Sequence, residues 1–219
     1  MRRLIAALFL AGAADVAVSA CDAEARTQWN FIVRLDGERI GTHRFVVEKR
    51  GDGTETVQSD AHFVLRFLGW TAYRYEHHSR ETWSGGCLAA LDARTDDDGR
   101  VTQVRAIRAD GGLAIDAIDA KGRHARTETL PGCAMSFAYW NTALRSQQQL
   151  LDPGTGRIVD VRITPLEPLR IDTDHGAANA RGWRIAGPPN AIDIRWAGDE
   201  WVGLDTVVGH GRHLTYRLK

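Results

Sequence analysis

The sequence has almost no long apolar run. Its longest such stretch, Leu4 to Ala14, ends at Asp15 after eleven residues, whereas a membrane-crossing helix needs about 20. Net charge is also missing. With 28 lysines and arginines against 28 aspartates and glutamates, no overall field draws the chain to nucleic acid or to an anionic surface. Catalytic signatures are absent as well: there is no Gly-x-Ser-x-Gly elbow, no His-Glu-x-x-His, no phosphate-cradling glycine loop before a helix and no Cys-x-x-Cys. No cofactor motif is present, so cofactors are expected to be none. Asp96-Asp97-Asp98-Gly99 lacks the alternate acidic spacing and distal glutamate of a calcium loop and reads as a solvated hairpin tip. What is present is ordinary globular sequence: apolar residues at 43% and charged residues at 26% exclude a disordered chain.

The N-terminus carries an address. Met1-Arg2-Arg3 followed by Leu4 to Ala14 has the form of an export signal. Two processing sites compete. Val18-Ser19-Ala20-Cys21 resembles a bacterial lipoprotein site, which would remove residues 1–20 and leave Cys21 as a lipidated N-terminus. Ala23-Glu24-Ala25 has the A-x-A form of release, which would remove residues 1–25. Either places residues 26–219 in the periplasm, anchored or free. Cys87 and Cys133 then remain, and an oxidising compartment favours one disulfide between them. It would close a loop of about 47 residues, worth roughly 4 kcal/mol in the chain-entropy model.

Turn signals recur about every ten residues along the rest of the chain, at Asp36-Gly37, Gly51-Asp52-Gly53, Gly85-Gly86, Asp98-Gly99, Gly111-Gly112 and Lys121-Gly122. Short alternating segments lie between them, the mark of antiparallel strands with local connections. From Thr71 to Trp83 the alternation puts Tyr73, Tyr75, His77, Ser79, Glu81 and Trp83 on one face and Arg74, Glu76, His78 and Arg80 on the other. Between two such series, Leu130 to Gly156 reads as helical: Ser136 as cap, Asp152-Pro153-Gly154 as stop, and Phe137, Trp140, Leu144 and Leu151 on one face. The expected fold is therefore one mainly β domain, a large curved antiparallel sheet of half-barrel or barrel-like form with one central α-helix covering its concave side.

Seven tryptophans suggest what such an interior would hold. Tyr73, Tyr75, Trp83, Phe137 and Trp140 are the candidate lining of a cavity for an acyl chain or another hydrophobic ligand. Phe67-Leu68-Gly69-Trp70 stands at a strand junction where polar turn residues are usual, so Phe67, Leu68 and Trp70 are candidate membrane contacts if exposed and a bulged core corner if buried. His43, His62 and His77 could meet Glu81 across neighbouring strands, but nothing in the spacing requires it and no metal is expected. No catalytic residue is assigned.

The segment Leu130-Pro131-Gly132-Cys133-Ala134-Met135-Ser136-Phe137-Ala138-Tyr139-Trp140-Asn141, with Gly86-Cys87-Leu88 and Leu91 to Gly99 before it, resembles an uncharacterised family of exported bacterial proteins. More loosely, a curved sheet around a helix is similar to the lipoprotein carriers of the periplasm, an analogy of fold alone. The expectation is a non-catalytic envelope protein that binds or carries a hydrophobic or lipid ligand. The alternatives are an envelope scaffold that contacts a partner protein, or a hydrolase acting on envelope glycan or lipid.

Overall fold

The computed structural model describes residues 25–68, 70–173 and 176–219. Residues 1–24, with the expected export signal and Cys21, and the side chain of Phe67 lie outside the described residues.

Eight strands follow one another by short turns: β1 (Ala25–Leu35), β2 (Glu38–Lys49), β3 (Thr54–Phe67), β4 (Trp70–Ser84), β5 (Cys87–Asp97), β6 (Arg100–Ala109), β7 (Gly112–Asp119) and β8 (His124–Leu130). A plug segment, residues 131–161, holds the short strands β9 (Gln149–Leu151) and β10 (Ile158–Asp160). A second meander comprises β11 (Arg162–Thr173), β12 (Gly176–Ala186), β13 (Ile192–Ala197), β14 (Glu200–Val208) and β15 (Arg212–Leu218). The last strand returns to the first: β15 pairs with β1 from Phe31↔Leu218 to Leu35↔Leu214. The result is one antiparallel sheet of 13 strands, ordered β11 to β15 and then β1 to β8, with β11 and β8 as its free edges.

Local chemistry explains the turns. Asp36 and Gly37 both have positive φ, as do Asp98 and Gly99, which is the two-residue hairpin geometry that Asp-Gly adopts most easily. Curvature follows from number and from bulges. So many twisted strands do not stay flat, and register shifts at Val33/Arg34, Leu65/Arg66, Thr82/Trp83, Ala117/Ile118 and Arg195/Trp196 bend individual strands further. The inward faces of both meanders join the plug in one core, with Phe31, Phe45, Trp83, Leu113 and Trp201 from the sheet meeting Met135, Leu144, Leu150 and Leu151.

The plug is not the expected helix. Among the described residues its only helical part is a 3-10 turn at Thr142–Ser146, capped by Asn141, whose side chain accepts from the Ala143 amide at 2.9 Å. Ser136 caps nothing; it is buried and lies alongside Leu151, where the Leu151 amide donates to the Met135 carbonyl at 2.8 Å. Asp152-Pro153-Gly154 turns a hairpin instead of ending a helix. The Asp152 carboxylate accepts from the Gly154 amide and the Thr155 hydroxyl, and Leu151 pairs with Ile158. The physical reason is surround. A helix buries one stripe, whereas Ala134, Met135, Ala138, Leu144, Leu150 and Leu151 are all buried at spacings no single stripe can satisfy. A curved sheet offers apolar surface on several sides, and an irregular chain with satisfied backbone groups fills it better. Gly156 shows how tightly: a Cβ there would lie 2.7 Å from the Ala117 Cβ.

Candidate functional site

The inner face of β4 alternates as expected, with His77, Ser79, Glu81 and Trp83 buried and Arg74, His78 and Arg80 exposed. Its polar groups find partners inside. The Trp83 indole donates to Glu81 Oε2 at 2.8 Å, His77 Nδ1 lies 2.8 Å from the Thr95 hydroxyl, and one strand pair away His43 Nε2 lies 2.7 Å from the Ser59 hydroxyl and Nδ1 3.4 Å from the Tyr216 hydroxyl. Phe45 stacks on the His43 ring at 4.1 Å, and Phe63 and Tyr216 flank it. A serine beside a neutral imidazole could begin nucleophilic chemistry, but that chemistry needs access and an orienting third group. Ser59 is 7% exposed and aromatic rings close over its partner. This is polar packing.

The expected cavity residues are drawn into the same packing. Trp83 and Trp140 meet edge to face at 5.4 Å, Tyr75 stacks on Phe63 at 5.3 Å, Phe137 lies 6.1 Å from Tyr139, and the Tyr73 hydroxyl donates to Asp97 at 2.7 Å. So the structure brings Trp83 and Trp140 together and sends Tyr73, Tyr75 and Phe137 to separate neighbours. His43 and His77 face inward while His62 faces outward beside Glu76 at 3.4 Å, so the three histidines do not converge. Among the described residues there is no cluster of three or more metal-ligating side chains. Tyr139, Tyr216 and Trp201, which are not among the expected cavity residues, are the rings that close the interior.

Burial sets the protonation of this interior. It lowers His43 well below the ordinary histidine range, with help from His77, and lowers His77 to about 4 against the pull of Asp152. Both groups therefore take up protons more readily unfolded than folded, so the stability they confer is present above about pH 6.5 and is lost as pH falls toward 4. Glu81 acts in the opposite direction, because burial raises its pKa despite hydrogen bonds from Ser136 and Trp83. We expect urea midpoints to fall between pH 7.5 and 4.5, with His77 supplying on the order of 3 kcal/mol before the Glu81 offset. His77→Gln should flatten that decline; an unchanged slope in the variant would show that other groups cause it.

The exposed site is the β3–β4 hairpin tip. Phe67 pairs with Trp70, and between them Leu68 adopts φ 50°. Leu68 is 83% exposed and Trp70 80%. The sequence left this tip open between a core corner and an exposed contact, and the structure turns both side chains outward. Beside it a cleft of about 900 Å³ is lined by apolar side chains such as Ile40, Val64 and Leu65, by the basic Arg39, Arg66 and Arg212 and by one acid, Glu38. Arg212 pairs with Asp36 at 2.7 Å. Arg39 and Arg66 have no carboxylate partner among the described residues.

Residues 31–219 match the family model described as Domain of unknown function (DUF6134). The chain belongs to that family. Among solved structures, this DUF6134 chain is similar to a beta-barrel-like protein of domain of unknown function DUF1849 from Brucella abortus, with a TM-score of 0.58 and 13% sequence identity over 90% of this chain and 95% of that one. At that identity the likeness concerns the fold alone. No curated protein matches the DUF6134 chain.

Proposed function

We propose that the protein is a non-catalytic envelope scaffold that docks on a lipid surface through the β3–β4 tip. The observation that carries this reading is the high exposure of both Leu68 and Trp70 at one hairpin tip. Indole and leucine side chains left in water at a strand junction are well suited to the membrane interface. Arg39 and Arg66, which line the cleft beside the tip and have no carboxylate partner among the described residues, support the reading, since guanidinium groups near an inserted tip attract lipid phosphates. The N-terminal address would deliver the chain to that surface, whether or not Cys21 is lipidated.

The carrier reading finds less support. Its expected lining residues are spent on packing, Trp83 with Trp140, Tyr75 with Phe63 and Phe137 with Tyr139, and the cleft beside the tip is open at the surface instead of forming an apolar chamber. A scaffold needs a packed body and an exposed contact; the single core of sheet and plug and the exposed Leu68 and Trp70 support that reading.

Flotation of the processed, unlipidated chain with vesicles of phosphatidylcholine and phosphatidylglycerol tests the proposal. Co-flotation is expected with the anionic mixture, and Leu68→Ser with Trp70→Ser should weaken it about tenfold or more, since each apolar side chain contributes roughly 1.5–3 kcal/mol when buried. Added salt should weaken it further through Arg39 and Arg66. Flotation that ignores the double substitution would overturn the proposal.

A further inference from the structure

The two free edges of the sheet contribute to one cleft. Leu130 and Pro131 line it from the end of β8, Arg162 and Ile163 from the start of β11, and Arg145 to Gln149 from the plug, around a volume of about 830 Å³. That size suits a small ligand. The β11 side is ill suited to receiving a strand, because Pro165 and Pro168 remove amide donors there and the register shifts between Leu166 and Leu169.

Arg145 is the unusual residue of this cleft. It closes the 3-10 turn, and its guanidinium lies 3.7 Å from the centre of the Trp183 ring and 5.6 Å from that of Trp196. The indoles hold the cation in place. They do not satisfy it. Its Nε is buried without a hydrogen-bond partner, as is Nε1 of Trp196 beside it, and a buried donor left unsatisfied is destabilising. No carboxylate pairs with Arg145 among the described residues. Burial and Arg181 disfavour its charge, and only the field of Asp199 favours it. Across the cleft Arg162 is exposed and likewise without an ion pair. The one acid in the lining, Asp160, accepts from the Gln149 amide at 2.8 Å. The lining therefore presents two guanidinium groups against one carboxylate, together with the Gln148 amide and the Gln147 amide, which also donates to the Ala143 carbonyl at 3.4 Å.

We infer that this cleft binds a small oxyanion ligand, a carboxylate or a phosphate carried on a polar body, with Arg145 as its clamp. A planar guanidinium held on an indole is pre-oriented for two parallel hydrogen bonds to such a group. The ligand's charge would supply the partner that the fold withholds, and its body would lie against the glutamine amides. This inference is independent of the membrane tip, which shares no lining residue with the cleft.

The test is titration of the processed chain with galacturonate and, separately, with inorganic phosphate, read by tryptophan fluorescence and by calorimetry. Trp183 and Trp196 flank the clamp, so binding should change the emission saturably. Arg145→Gln should weaken binding at least tenfold, and Arg162→Gln several-fold. Because Arg162 is exposed, its variant keeps the inference testable even where loss of Arg145 disturbs the fold. Saturation by galacturonate alone identifies a carboxylate site, and saturation by phosphate alone a phosphate site. Failure of both probes to saturate, or binding that survives both substitutions, would overturn the inference. Either result leaves vesicle flotation unaffected.

Discussion

Replacing Trp201 by alanine is expected to destabilise the protein by about 3–5 kcal/mol, the usual cost of emptying an aromatic site in a packed core. Trp201 is 0% exposed and joins three parts of the structure. Its ring lies 4.3 Å from that of Phe31 in β1, 5.0 Å from that of Phe45 in β2 and 5.5 Å from that of Tyr139 in the plug. Its indole also donates to the Gly203 carbonyl at 3.0 Å, so truncation would strand a buried acceptor as well as open a void. Collapse cannot fill that void cheaply, because the surrounding rings are already engaged elsewhere, Phe31 with Tyr216, Phe45 with His43 and Tyr139 with Phe137. Domains of this kind are stable by only about 5–15 kcal/mol, so the loss is a large share of the total. Urea unfolding checks it, with Trp201→Phe as the milder control that keeps a ring and loses the N–H bond. A loss below about 1 kcal/mol for the alanine variant would mean that the two meanders are not joined through this residue.

The meanders were legible in the sequence because strand signals are local. Alternation along β4 places each side chain without knowledge of its neighbours, and Asp36-Gly37 and Asp98-Gly99 name their own turns. The plug was not legible for the complementary reason. Ala143, Leu144, Arg145 and the three glutamines from Gln147 to Gln149 favour helix intrinsically, yet their conformation is decided by a surface assembled from strands far away in the chain. Pairings across long separations were hidden in the same way. His43 meets Ser59 at a separation of 16 residues and Tyr216 at 173, and Arg145 meets Trp183 only once β12 has been placed. At the hairpin tip the composition was visible but its side was not, since a leucine and a tryptophan at a junction suit a buried corner as well as an exposed one.

Removing the Cys87–Cys133 disulfide, by Cys87→Ser with Cys133→Ser or by reductant, is expected to cost about 4 kcal/mol and to lower the melting temperature by roughly 10 °C. The two Cα atoms lie 5.1 Å apart and the cysteines are separated by 46 residues, so the bridge closes a long loop that contains β5 to β8. It also has a particular place, fastening the first residue of β5 to the start of the plug. Beside it the Leu88 amide donates to the Ala134 carbonyl at 2.8 Å, and Arg108 donates to the carbonyls of Leu88 and Gly132. Those hydrogen bonds hold the plug's entry in register but restrict the unfolded chain very little. The loss should therefore fall first on the plug. Without the bridge, amide exchange at Phe137 and Leu151, whose backbone groups pair the plug to itself, is expected to accelerate more than exchange in β1 to β4. Uniform acceleration across the sheet would mean instead that the plug never opens separately. The bridge would then act only by lowering the entropy of the unfolded chain, and the plug and sheet would form a single cooperative unit.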